Sequence, residues 1–120
     1  MIGVALAWTV ASAFLVLGLA TFPFPRAMSQ VYGAPADGEA SLAMVRATGL
    51  RDVLLGAILA GCLALADHTG AALVCVAASV CAVVDFTLVF RLRGWIPQLG
   101  IHAGGIPAGV LVAWLLRVDR

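Results

Sequence analysis

Four ionisable side chains interrupt stretches that are otherwise apolar: Arg51 and Asp52 within Gly49-Leu50-Arg51-Asp52-Val53-Leu54-Leu55-Gly56, then Asp85, then His102. Two carboxylates, one guanidinium and one imidazole are a complete acid/base set. In a low-dielectric setting, two carboxylates against a single arginine leave an excess acid. One carboxyl is then expected to keep its proton while the arginine holds the other ionised, and such a split pair is an acid and a base. His102 is an alternative general acid or base, because an imidazole titrates near neutrality. The same groups also admit a purely architectural reading, a buried charge network that fixes helix register with His102 donating to a carbonyl.

The surrounding composition fixes the solvent. The 120 residues are 63% hydrophobic and 11% charged, which places the chain in a bilayer rather than in water. Ionisable groups there cost several kcal/mol unless paired or wetted, so each of the four is a candidate functional group. Seven Lys+Arg against six Asp+Glu give a net charge of +1, too balanced for nucleic-acid binding or a polybasic lipid anchor. The cysteines Cys62, Cys75 and Cys81 lie in apolar runs without a C-x-x-C pair, so neither a disulfide framework nor a thiol relay is indicated. No cofactor is expected. No metal is expected either, since His102 with Asp52 or Asp85 supplies fewer ligands than zinc usually takes.

To position these groups the chain must fold as an all-α integral membrane four-helix bundle of antiparallel up-down topology, read as a single membrane domain over residues 1–120. The spans are expected at about 1–20, 41–66, 70–90 and 95–116. The first span carries no charge and is too long, and too poor in basic residues at its start, for a cleaved signal peptide. Residues 21–40, with Pro23, Pro25, Gly33, Pro35 and three charges, cannot span and form a long loop. Phe22, Phe24, Met28, Val31 and Tyr32 make that loop amphipathic, suited to lie on the membrane surface or to cover a site. Short turns at Asp67-His68-Thr69-Gly70 and Arg91-Leu92-Arg93-Gly94 make consecutive helices antiparallel neighbours. Counting Arg26, Arg46, Arg91 and Arg93 against Arg117 and Arg120 favours both termini outside. Trp95 suits an interfacial anchor. Gly49, Gly56 and Ala60, and the pairs Gly100/Gly104 and Gly105/Gly109, offer surfaces for close backbone approach within the bundle or between copies, so a homo-oligomer through the glycine-rich faces is open. Pro107 should kink the fourth span.

A rise of about 1.5 Å per residue puts Arg51 about 14 Å from Leu42, Asp85 about 8 Å from Phe90 and His102 about 10 Å from Trp95, all counted from one membrane face. The four groups therefore share a leaflet, beneath the long loop. Arg46, Tyr32 and Gln98 lie nearer that face and are candidate substrate-binding residues at the entrance. Arg51 and Asp52, about 100° apart around the helix, reach different neighbours, and Asp85 is the expected partner of Arg51.

The arrangement Gly49-x-Arg51-Asp52-x-x-x-Gly56, a lone Asp85 late in the third span and His102-Ala103-Gly104-Gly105 in the fourth resembles a family of small four-helix membrane proteins of bacteria and fungi. That family is known only as a domain of unknown function. The likeness covers residues 46–116. Some fungal proteins of this kind look like membrane-bound epoxide-opening hydrolases or cyclases of polyketide pathways. A second likeness is chemical only: the Asp-Arg-Asp constellation is similar to that of the soluble limonene epoxide hydrolase type, on an unrelated fold. By these resemblances one of Asp52 and Asp85 would activate water or a substrate hydroxyl, the other would protonate the epoxide oxygen, and Arg51 would bridge them.

The expected function is accordingly a membrane-embedded acid/base enzyme opening an epoxide on a lipophilic polyketide- or terpenoid-like substrate, in a bacterial inner membrane. The catalytic set is Arg51, Asp52, Asp85 and His102, and the partners are a lipophilic small molecule and the lipid bilayer. An isomerase or terpenoid cyclase would use the same groups. So would a small transporter or lipid-binding protein, although the first span lacks the carboxylate that small multidrug transporters carry.

Overall fold

The computed structural model describes residues 1–118; Arg120, used in the arginine count above, lies outside them. Five helices follow in order: α1 (Ile2–Ala20), α2 (Pro25–Val31), α3 (Glu39–Ala64), α4 (His68–Arg93) and α5 (Leu99–Val118). Four of them, α1, α3, α4 and α5, are long and apolar enough to cross a membrane. Leu54 and Ile58 on α3, Val76 and Val80 on α4, and Leu111 and Trp114 on α5 all face outward. In water so much exposed apolar surface would be untenable; in a bilayer it is the lipid-facing side. The chain is thus an all-helical, multi-pass integral membrane protein.

Four boundaries differ from those expected. The segment 21–40 is not a loop throughout, because α2 forms inside it with Pro25 in its first turn. Proline is tolerated there, since the first N–H groups of a helix have no intrahelical acceptor in any case. Residues 68–70 belong to α4 rather than to a turn. Asp67 caps that helix, its Oδ1 accepting from the Gly70 N–H at 2.9 Å, which starts the helix early. Likewise Arg91 and Arg93 stay helical, at the C-terminal end of α4 where the helix dipole favours cations. Gly94, at φ 66°, closes α4. Helix α5 begins at Leu99 rather than near residue 95, and Trp95 packs edge-on against Phe90 with ring centroids 5.1 Å apart. Helices α3 and α4, 26 residues each, are about 39 Å long and overshoot a hydrocarbon core of about 30 Å.

Small residues set the packing. Helix α1 lies along α3, with Gly18 against Gly49 and Val53, Gly49 against Thr21, and Gly56 against Ala11 and Leu15. Helix α4 lies along α5, where Gly109 meets Ser79 and Cys75, and Gly105 meets Ala82. Ser79 strengthens that pair by donating to the carbonyls of Cys75 and Ile106 at 3.2 and 3.1 Å. Helix α5 continues through Pro107. Gly100 and Gly104 face open space.

The two helix pairs meet in a core of Ala7, Ala11, Leu59, Leu63, Ala71, Ala72, Cys75, Val112, Ala113 and Leu116. Every one of these positions lies toward the α3–α4 turn. The opposite half of the bundle is not filled in this way, and the ionisable groups are there.

Candidate functional site

Helix α3 delivers two of the charged groups in different directions. Asp52 falls between Gly49 and Gly56 on the stripe that approaches α1, and is only 5% exposed. Arg51, one residue earlier and about 100° around the helix, turns toward α4. Its guanidinium grips Asp85 with two parallel bonds, Nη1 to Oδ1 at 3.1 Å and Nη2 to Oδ2 at 2.8 Å. The same guanidinium donates back to Asp52 Oδ1 from Nε at 3.1 Å and from Nη2 at 2.9 Å. Four of its five N–H groups are thereby engaged, and Asp52–Arg51–Asp85 is a continuous bridge. With both carboxylates ionised the bridge carries one excess negative charge, and one added proton makes it neutral.

Helix α2 and the strand-free segment after it cover this bridge. The Tyr32 hydroxyl donates to Asp52 Oδ2 at 3.3 Å, the carboxylate oxygen that Arg51 leaves free. The Tyr32 carbonyl accepts from His102 Nε2 at 2.9 Å. A carbonyl can only accept, so the proton sits on Nε2, and a neutral His102 ring keeps Nδ1 as an acceptor. Ser29 pins the segment internally: its hydroxyl donates to the Arg26 carbonyl at 2.7 Å and accepts from the Ala36 N–H at 3.0 Å. Tyr32 lies outside the spans. Burial, and after it the charge of Asp52, pushes its phenol well above the usual value of about 10, so it remains a neutral donor.

Beneath this cover lies a cavity of about 740 Å³, within the range of roughly 300–1,000 Å³ typical of small-molecule sites. Arg51, Asp52, Asp85, Tyr32 and His102 all line it at one level. The rest of its wall is largely apolar, from Val10, Phe14 and Leu17 on α1 across to Ala78 on α4 and Ala108 on α5. A molecule bound there would have a polar group at the Asp–Arg–Asp bridge and a hydrocarbon body reaching toward the packed core.

The structure therefore gathers Arg51, Asp52, Asp85, His102 and Tyr32, five of the seven residues singled out from the sequence. The other two lie elsewhere. Gln98 lines a smaller neighbouring crevice with Gln30, Arg93 and Ile96. Arg46 is half-buried on α3, off the wall of the main cavity. Sequence reasoning passed over Thr48, Cys81 and Ser29, which do line the cavity. Helical spacing held the signal for two of them: Thr48 precedes Asp52 by four residues, and Cys81 precedes Asp85 by four, each one turn along the same face. Among the described residues no three His, Cys, Asp or Glu side chains gather into a metal-ligand set.

Fold and site together define a small multi-pass membrane protein with a charged, ligand-sized cavity at one end of the bundle. A family model described as a domain of unknown function, DUF4267, matches residues 11–116, and the chain belongs to that family. The match covers α3 and α4 whole and reaches into α1 and α5, where the sequence motifs alone reached from residue 46. No curated protein and no solved structure matches the chain.

Proposed function

We propose that the protein is a membrane-embedded acid/base enzyme that opens an epoxide on a lipophilic substrate, by hydrolysis or by cyclisation. The observation that carries this reading is the Asp52–Arg51–Asp85 bridge at the polar end of an otherwise apolar cavity. The likeness to epoxide-opening proteins and to the Asp-Arg-Asp constellation of soluble epoxide hydrolases supports the same chemistry.

The two carboxyls differ in their surroundings: Asp52 keeps Oδ2 free of Arg51, beside the neutral Tyr32 hydroxyl, whereas both oxygens of Asp85 accept from Arg51. A water held at the bridge loses a proton to one of them, as the ionised member, while its oxygen bonds to an epoxide carbon. The ring C–O bond breaks, and the other carboxyl, as the protonated member of the pair, gives its proton to the departing oxygen. Arg51 holds the two carboxyls in fixed relation throughout and balances the charge that passes between them. Return of one proton from the base to the acid restores the starting state. In a cyclisation a hydroxyl of the substrate takes the place of water.

Incubation of the purified protein in lipid vesicles with a panel of lipophilic epoxides, followed by mass spectrometry, tests this reading. A gain of one water, or an isomeric cyclic ether, is expected with wild type. Asp52→Asn and Asp85→Asn are each expected to lower turnover by about two orders of magnitude or more. Full turnover in both variants would remove these roles.

The excess negative charge of the site favours one other reading, a transporter or binder of a proton or an amphiphilic cation. Counterflow of an unchanged amphiphilic amine in vesicles, abolished by Asp85→Asn, would favour it over catalysis.

A further inference from the structure

Three of the residues that line the cavity are also among the most exposed on the outside of the bundle. Met44 on α3 is 69% exposed, and Leu88 and Leu92 on α4 are 54% and 72% exposed. A side chain that borders both the cavity and the exterior marks an opening. These three flank the Arg51–Asp85 pair, whose side chains are themselves 35% and 22% exposed. The neighbouring outward residues are Leu50 and Leu54 on α3 and Val84 on α4, so the opening faces hydrocarbon.

A partly exposed ion pair beside an opening to hydrocarbon is costly unless something polar fills the gap. Arg51 already gives four of its five N–H groups to two carboxylates, and the bridge carries an excess negative charge or none. It therefore repels fatty-acid and phosphate head groups and suits a neutral oxygen function. Near the membrane surface the cavity has a second, polar border at Asp37 and Ser41, which suits water.

We propose that the α3–α4 gap between Met44, Leu88 and Leu92 is a lateral portal, through which a neutral, oxygen-bearing long-chain molecule passes from one leaflet into the cavity. Water and protons come separately from the surface border at Asp37 and Ser41. This rests on the reading of the cavity as a lipophile-binding site, but not on any particular reaction.

The test uses a long-chain fatty alcohol carrying a mid-chain diazirine, dissolved in phosphatidylcholine vesicles that contain the full chain. After illumination, adducts are mapped residue by residue. Ala78 is 8% exposed and faces the cavity, so adducts there and at Cys81 report probe inside rather than probe in bulk lipid. These adducts are expected in wild type, are expected to fall roughly tenfold when Met44→Trp and Leu88→Trp narrow the gap, and are expected to persist in Ala36→Trp at the polar border. Both portal positions already face lipid, so tryptophan there leaves the fold intact; Leu73→Trp, at an equally exposed site away from the cavity, serves as the control. Absence of wild-type adducts at Ala78 and Cys81, their survival in the portal variant, or their loss only in Ala36→Trp would overturn the proposal. The probe has no epoxide and the readout needs no turnover. Loss of the epoxide chemistry would therefore leave this result standing, and the reverse also holds.

Discussion

Tyr32 is the single tyrosine of the chain, which gives the site its own optical reporter. Its phenol is buried and faces Asp52, so tyrosinate absorbance is expected to appear only well above the usual pH of about 10. Burial is the larger cause and the Asp52 charge the second, so Asp52→Asn should bring the titration part of the way back. Because the folded value lies above the unfolded one, the neutral phenol's contribution to stability is complete below about pH 10 and is lost as the pH rises through the folded value. At this scale the sequence was most legible. A charge inside an apolar run needs a partner, and helical spacing with antiparallel topology was enough to pair Arg51 with Asp85. It could not show that Tyr32 meets the site through two atoms, its hydroxyl on Asp52 and its carbonyl under His102. That depends on how a proline-rich segment folds back, for which hydropathy carries no signal.

The cover over the site is held by few bonds, so its elements should respond separately from the spans. His102→Ala removes the bond between α5 and the Tyr32 carbonyl. The amides of residues 29–36, that of Ala36 in particular, are expected to exchange with deuterium faster in this variant, while those of α1 and α4 are unchanged. Glycines on α5 divide just as sharply. Gly109→Val would drive side-chain atoms into Ser79 and the Cys75 carbonyl and should cost about 1–3 kcal/mol in thermal unfolding. Gly104→Val meets nothing and should cost about 1 kcal/mol or less. From the sequence these glycines form two overlapping pairs of equal appearance. Only the direction in which α5 presents them to α4 separates the pair that packs from the pair that faces outward. Helix ends were misjudged for a related reason. Asp67 and Pro25 looked like breakers, whereas Asp67 caps α4 and Pro25 occupies the first turn of α2, where a missing N–H costs nothing.

Across the whole molecule the α3–α4 turn end is solid and the opposite end is hollow. The solid end uses small side chains and close backbones, while the hollow end keeps its charges beside a cavity of about 740 Å³. Stability and ligand capacity are thus held by different halves and should be separable. Ala78→Phe, placed on the cavity wall, is expected to abolish uptake of a lipophilic probe while leaving thermal unfolding within about 1 kcal/mol of wild type. Membrane embedding and the four spans could be read from composition alone. The hollow could not, because a residue that borders a cavity and one that borders lipid are drawn from the same apolar set.

The bond from His102 falls on a main-chain carbonyl, which every amino acid possesses. Whatever side chain stood at position 32 would still present that oxygen, so this tie, unlike the bonds of the Tyr32 hydroxyl and of Ser29, does not depend on the identity of the covering residue. A substitution at position 32 therefore changes the lining of the cavity while leaving that acceptor in place. In this architecture one fastening of the cover and the chemistry of its lining are carried by different atoms of a single residue.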